Sequence, residues 1–160
     1  MAGSTTKKAV IRRFDREALT GYVNPNSYQQ LTGVELLSEE GNVATVPYDE
    51  IKTVSFVRDF DVPDSTTRQV FNTRPKMEGL WVSLRFRDSS VMEGIMTNNL
   101  LHLEPYGFTV IPPDSTGNRQ RVFVPKLALS GIEVLGVVGS PLKRRKDKAA
   151  AKEQIGLFEE

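Results

Sequence analysis

The stretch Leu80–Met96, LWVSLRFRDSSVMEGIM, decides how the chain is read. Val82, Leu84 and Phe86 alternate with Ser83, Arg85 and Arg87, so an extended backbone sends the apolar three to one face and the polar three to the other. Asp88-Ser89-Ser90 supplies turn chemistry, and Val91–Met96 resumes the apolar pattern. The stretch therefore predicts a β-hairpin. Gly94, inside its second strand, marks a bend or a close backbone approach.

A fainter copy of the pattern lies near the N-terminus. Strands are expected at Ala9–Phe14, Ala18–Val23 (around Gly21), Gly33–Leu37, Val43–Val46 and Ile51–Val57. Asp15–Glu17, the polar loop Asn24–Thr32, the hairpin signal Glu40-Gly41-Asn42 and the turn Pro47–Glu50 separate them. Laid on this half, Val82 and Phe86 fall on Val10 and Phe14, and Gly94 on Gly21. Gly107-Phe108 falls on Gly33-Val34, Gly117-Asn118 on Gly41-Asn42, and Val124-Pro125 on Val46-Pro47. Leu129, Ile132 and Val134 then follow on Ile51, Val54 and Phe56 without a gap. Landmarks in the same order imply an internal duplication with a period of about 70 residues. In this alignment Arg12 takes the place of Leu84. Either the first copy has slipped by one residue, or an arginine stem runs along the fold with its head at the rim.

The expected organisation is a first five-stranded unit over residues 9–57, a polar connector over 58–79 and a second unit over 80–138. Val70 and Phe71 are the connector residues suited to pinning it down. Composition changes abruptly after Val138. Gly139-Ser140-Pro141 ends the fold, and residues 139–160 form a flexible basic tail.

Composition excludes more than it identifies. With 39% hydrophobic and 26% charged residues among 160, the chain suits a soluble globular protein. It has no cysteine, hence no disulfide, thiolate nucleophile or cysteine-type zinc site. No apolar run approaches membrane-spanning length and Met1–Val10 has no apolar signal core, so a cytoplasmic protein without membrane contact is expected. The net charge of +1 is uneven. Residues 143–160 carry six Lys/Arg against four Asp/Glu, whereas the rest carries fifteen against sixteen. A near-neutral body lacks the positive balance of a dedicated nucleic-acid binder.

Short strands in meander order, a glycine-bearing second strand and a proline break before the fifth strand resemble the small barrels of SH3-like and Sm-like domains. The resemblance implies an all-β fold of tandem five-stranded small barrels over residues 9–137. Gly21 with Asn24 and Asn26, and Gly94 with Asn98 and Asn99, resemble the first Sm signature. The second signature's Arg-Gly pair is absent from Ile51–Val57 and Leu129–Leu135, so no RNA-contacting residue carries over. NTRPKMEGLWVSLRFRD and RVFVPKLAL are similar to an uncharacterised bacterial family without an assigned activity.

Candidate chemistry is sparse. The single His102 has no placed partner, the carboxylates lack an acid–base spacing, and no phosphate loop or nucleophile elbow occurs. No catalytic residue, metal site or cofactor is expected. Arg12, Arg13 and Arg16 at the first hairpin and Arg85 and Arg87 at the second, with Trp81 and Tyr22 for stacking, are candidates for nucleic-acid contact. Arg12 and Arg16 also stand four apart, as in the arginine pair of the PilZ-type cyclic-dinucleotide site. Its second element is not reproduced, because Asp88–Gly94 is one residue too long and follows the wrong strand. Gln154-Ile155-Gly156-Leu157-Phe158 resembles the Q-L-x-L-F peptide that docks bacterial proteins onto the replication sliding clamp, with Gln154, Leu157 and Phe158 as the anchors. The leading expectation is a non-catalytic module that binds a protein partner or itself through strand edges. Nucleic-acid association and cyclic-dinucleotide binding are the alternatives.

Overall fold

A computed structural model describes residues 6–61 and 68–139 of the chain. It is all-β: among the described residues there are ten strands, short 3-10 turns and no α-helix. The first half supplies β1 (Lys7–Arg13), β2 (Leu19–Val23), β3 (Gly33–Leu37), β4 (Val43–Pro47) and β5 (Ile51–Val57). The second supplies β6 (Gly79–Phe86), β7 (Val91–Met96), β8 (Gly107–Val110), β9 (Arg119–Pro125) and β10 (Leu129–Val138). The 3-10 turns Tyr48–Glu50 and Lys126–Ala128 precede β5 and β10. Each follows a proline in extended conformation, Pro47 and Pro125. Proline ends a ladder because it has no N–H to donate.

The strands form two antiparallel sheets, ordered β4-β3-β2-β1-β5-β9-β8 and β10-β6-β7. No barrel closes, contrary to the expectation of tandem small barrels. The reason lies in β5, whose second edge pairs with β9 of the other half, Val54 opposite Phe123 and Ser55 opposite Val122, instead of returning to β4. The two sheets also touch through a bridge, Ile95 N–H to Ile111 O at 2.9 Å and Ile111 N–H to Ile95 O at 2.8 Å.

Alternation puts apolar side chains into two cores. Ala9, Ile11, Val34, Ile51 and Val54 fill the first; Val82, Leu84, Val110, Val122 and Val124 fill the second. The faces predicted for Val82, Leu84 and Phe86 are as expected, all three buried while Arg85 and Arg87 are exposed. Phe123 lies between Val122 and Val124, points the opposite way, and enters the first core against Tyr28 and Tyr48.

Strand pairing corrects the alignment of the halves by one residue. Ala9 faces Gly21 and Phe56 as Val82 faces Gly94 and Val134, so Ala9, not Val10, occupies the place of Val82. Ile11 then takes the place of Leu84 and is fully buried, which frees Arg12 from the core face. At the paired glycines the backbone approach is close. A Cβ on Gly94 would lie 2.7 Å from the Val110 Cβ, and one on Gly21 2.5 Å from the Leu37 carbonyl oxygen.

Candidate functional site

The arginines singled out by sequence divide in the fold. Arg13 donates from Nε and Nη2 to the Glu17 carbonyl at 3.0 and 2.8 Å, closing its own hairpin turn. Arg16 lies 4.0 Å from Glu50. Arg87 stacks over the Phe14 ring, 4.0 Å from its centroid, and donates to the carbonyls of Leu127 and Asp49. Those carbonyls stand at matching places in the two 3-10 turns. The guanidinium thus ties one half to the other, with planar donors suited to two acceptors at once. Arg12 is half-buried on β1 and Arg85 exposed on β6. Arg13, Arg16 and Arg87 accordingly gather near the junction of the halves amid backbone acceptors and carboxylates, while Trp81 stands elsewhere. Its Nε1–H donates to Glu93 at 2.9 Å, and its ring meets Phe71 edge-on. Phe71 N–H donates to the same carboxylate and Glu93 N–H to Gln69 O at 2.8 Å, so the connector is pinned onto β7. Val70, the other expected pin, is exposed.

Beside the junction runs a groove of about 560 Å³ lined by Tyr28, Gln29, Glu104, Thr109 and Arg121. At one end Tyr28, Gln29, Glu104 and Thr109 form a hydrogen-bonded cluster. Glu104 accepts from Thr109 Oγ1 at 2.7 Å and from Gln29 Nε2 at 3.2 Å. Burial, then the nearby Glu104 charge, pushes the Tyr28 hydroxyl up to about 12, so it stays protonated at neutral pH. His102 is exposed on the 3-10 turn Leu100–His102, 3.5 Å from Asn99 Nδ2. Among the described residues no three His, Cys, Asp or Glu side chains are grouped to hold a metal ion, and no helix is long and apolar enough to cross a membrane. Gln154, Leu157 and Phe158 lie outside the described residues.

Two strand edges stand out instead. Of the four sheet edges, β7 and β8 meet through the Ile95–Ile111 bridge, leaving β4 and β10 as the outer edges. β10 runs for ten residues and exposes Ile132, Val134, Leu135 and Val137. β4 exposes Val43, Ala44 and Thr45. Within Ile132–Leu135 and within Val43–Thr45 there is a single charge, Glu133. Edge strands are usually blunted by lysine, proline or a cover. Open edges in general are expected from the sequence. Which strands form them has no local signature, because the β5–β9 pairing that decides this joins residues far apart.

The family of unknown function DUF6982 matches residues 5–136, and the chain belongs to that family. No curated protein and no solved structure matches it.

Proposed function

We propose that this member of DUF6982 is a non-catalytic interaction module, built from two copies of a small-barrel-like unit, that engages other polypeptides through its open strand edges. The repeated strand order supports the duplication. Each half runs as a meander whose fifth strand returns to pair with its first, β5 with β1 and β10 with β6. The observation that carries the functional reading is β10. Its counterpart β5 is buried along nearly its whole length, whereas β10 holds the same place in the second half with Ile132, Val134, Leu135 and Val137 exposed. An apolar edge that no other strand among the described residues pairs with is a template for another strand, since unpaired N–H and C=O groups sit beside apolar area.

Capture from native extract tests the reading. The tagged chain is compared with Val134→Lys, a charge on an exposed position of β10. Retained proteins are expected to fall at least tenfold with the variant, whose circular-dichroism spectrum should match that of the unmodified chain. Equal retention by both chains overturns the proposal.

A further inference from the structure

The chain contains the template for its own edge pairing. β5, the fifth strand of the first half, pairs with β9, the fourth strand of the second, and this joint holds the seven-stranded sheet together. The corresponding strands at the two ends, β10 as a fifth strand and β4 as a fourth, have no such partner in the sheet order. We propose that copies of this chain associate head to tail, β10 of one pairing antiparallel with β4 of the next in the register used between β5 and β9. The inference rests on the edge-binding reading above and assigns its partner.

The register follows from matching places in the halves. Ile132 and Val134 face Leu84 and Val82 on β6 as Val54 and Phe56 face Ile11 and Ala9 on β1. On the other side, Gly33 pairs with Pro47 and Val34 with Val46, as Gly107 pairs with Pro125 and Phe108 with Val124. Val54 lies opposite Phe123, and Phe56 opposite Arg121. Carried over, Ile132 lies opposite Thr45 of the next copy, Glu133 opposite Ala44, and Val134 opposite Val43. This register places the exposed apolar residues of both edges together, Val134 at 58% and Val43 at 64% exposure. β-Branched residues favour strands because they pack against cross-strand neighbours. Farther along β10 the Val137 carbonyl already accepts from Arg74 Nη2 at 2.8 Å, so pairing centres on Ile132–Val134. The two surfaces differ, so the contact is heterologous and each chain offers one of each. Growth then proceeds past a dimer, to a ring or an open filament.

The absence of cysteine makes the register testable by engineered thiols. Thr45→Cys and Ile132→Cys chains, mixed and oxidised, are expected to give a cross-linked dimer, neither chain alone doing so, and the double variant a ladder of larger species. In sedimentation the unmodified chain is expected to exceed a dimer, Val43→Lys and Val134→Lys each to be monomeric, and their equimolar mixture to form a dimer through the remaining edges. Cross-linking of Ile132→Cys with itself overturns the proposal in favour of paired β10 strands. Cross-linking only after removal of residues 140–160 also overturns it, the edge then being covered within the chain. A chain monomeric and uncross-linked at high micromolar concentration, while Val134→Lys still abolishes capture from extract, refutes self-pairing and leaves the edge-binding reading standing. Loss of neither refutes both.

Discussion

At the scale of single residues, the turn between β6 and β7 is held by one carboxylate. Asp88 accepts from Lys52 Nζ at 2.8 Å, from Ser90 N–H at 3.0 Å and from Ser90 Oγ at 2.6 Å. These contacts allow Ser89, with φ at 73°, to hold the left-handed conformation that closes the hairpin. Hydrogen bonds from Lys52 and then Ser90 hold the Asp88 carboxyl down at about 2. A depressed carboxyl pKa stabilises the fold above the unfolded value near 3.8, and the gain disappears as pH falls through about 2. Because the Asp88 side chain is 40% exposed, solvent screening keeps the pair below about 1 kcal/mol. Asp88→Asn is therefore expected to lower the urea midpoint slightly at pH 7. The difference from the unmodified chain should shrink steadily between pH 4 and pH 2. A constant difference over that range would mean the carboxylate charge is not what holds the turn.

Among the strands, β9 shows which features could be read from sequence and which could not. Gly33–Leu37 and Ile51–Val57 coincide with their expected spans, because alternation and flanking turns are local properties. The junction partner of β5 left no local mark, since strand pairing across sixty or more residues is decided by packing. One signal was present. Val122-Phe123-Val124 is an unbroken apolar run, which in a strand means burial on both faces. The same limit applies to Arg87. Spacing places it on the polar face but cannot tell that its guanidinium meets two backbone carbonyls of distant turns. Of the arginine cluster, Arg87 fastens one half to the other. Phe123 is the strand's test position, fully buried and ringed by Tyr28 and Tyr48. Phe123→Ala is expected to cost about 3–5 kcal/mol in urea denaturation, the usual range for a buried phenylalanine. Gln120→Ala, exposed on the same strand, should change stability by less than about 0.5 kcal/mol.

Across the whole molecule, two cores share one sheet, and this bears on how the chain unfolds. Independent units would give two transitions, one for each core. Three contacts argue against independence here. β5 pairs with β9 over four registered positions, Phe123 fills the first core from the second half, and Phe14 of the first half packs on the second core beneath Arg87. Unfolding either half alone would expose Phe123 or Phe14 and leave one side of the β5–β9 ladder without partners. Each loss is worth several kcal/mol, comparable with the whole stability of a small domain. Partly unfolded states should therefore be scarcely populated. A single calorimetric transition is expected, with calorimetric and van't Hoff enthalpies equal. Self-association would make the midpoint depend on concentration, so the measurement belongs in the doubly blocked Val43→Lys/Val134→Lys chain. In that chain, adding Phe123→Ala removes one of the three contacts that couple the cores and should broaden the transition. Two transitions without that substitution would mean that the halves fold as separate domains despite the sheet they share.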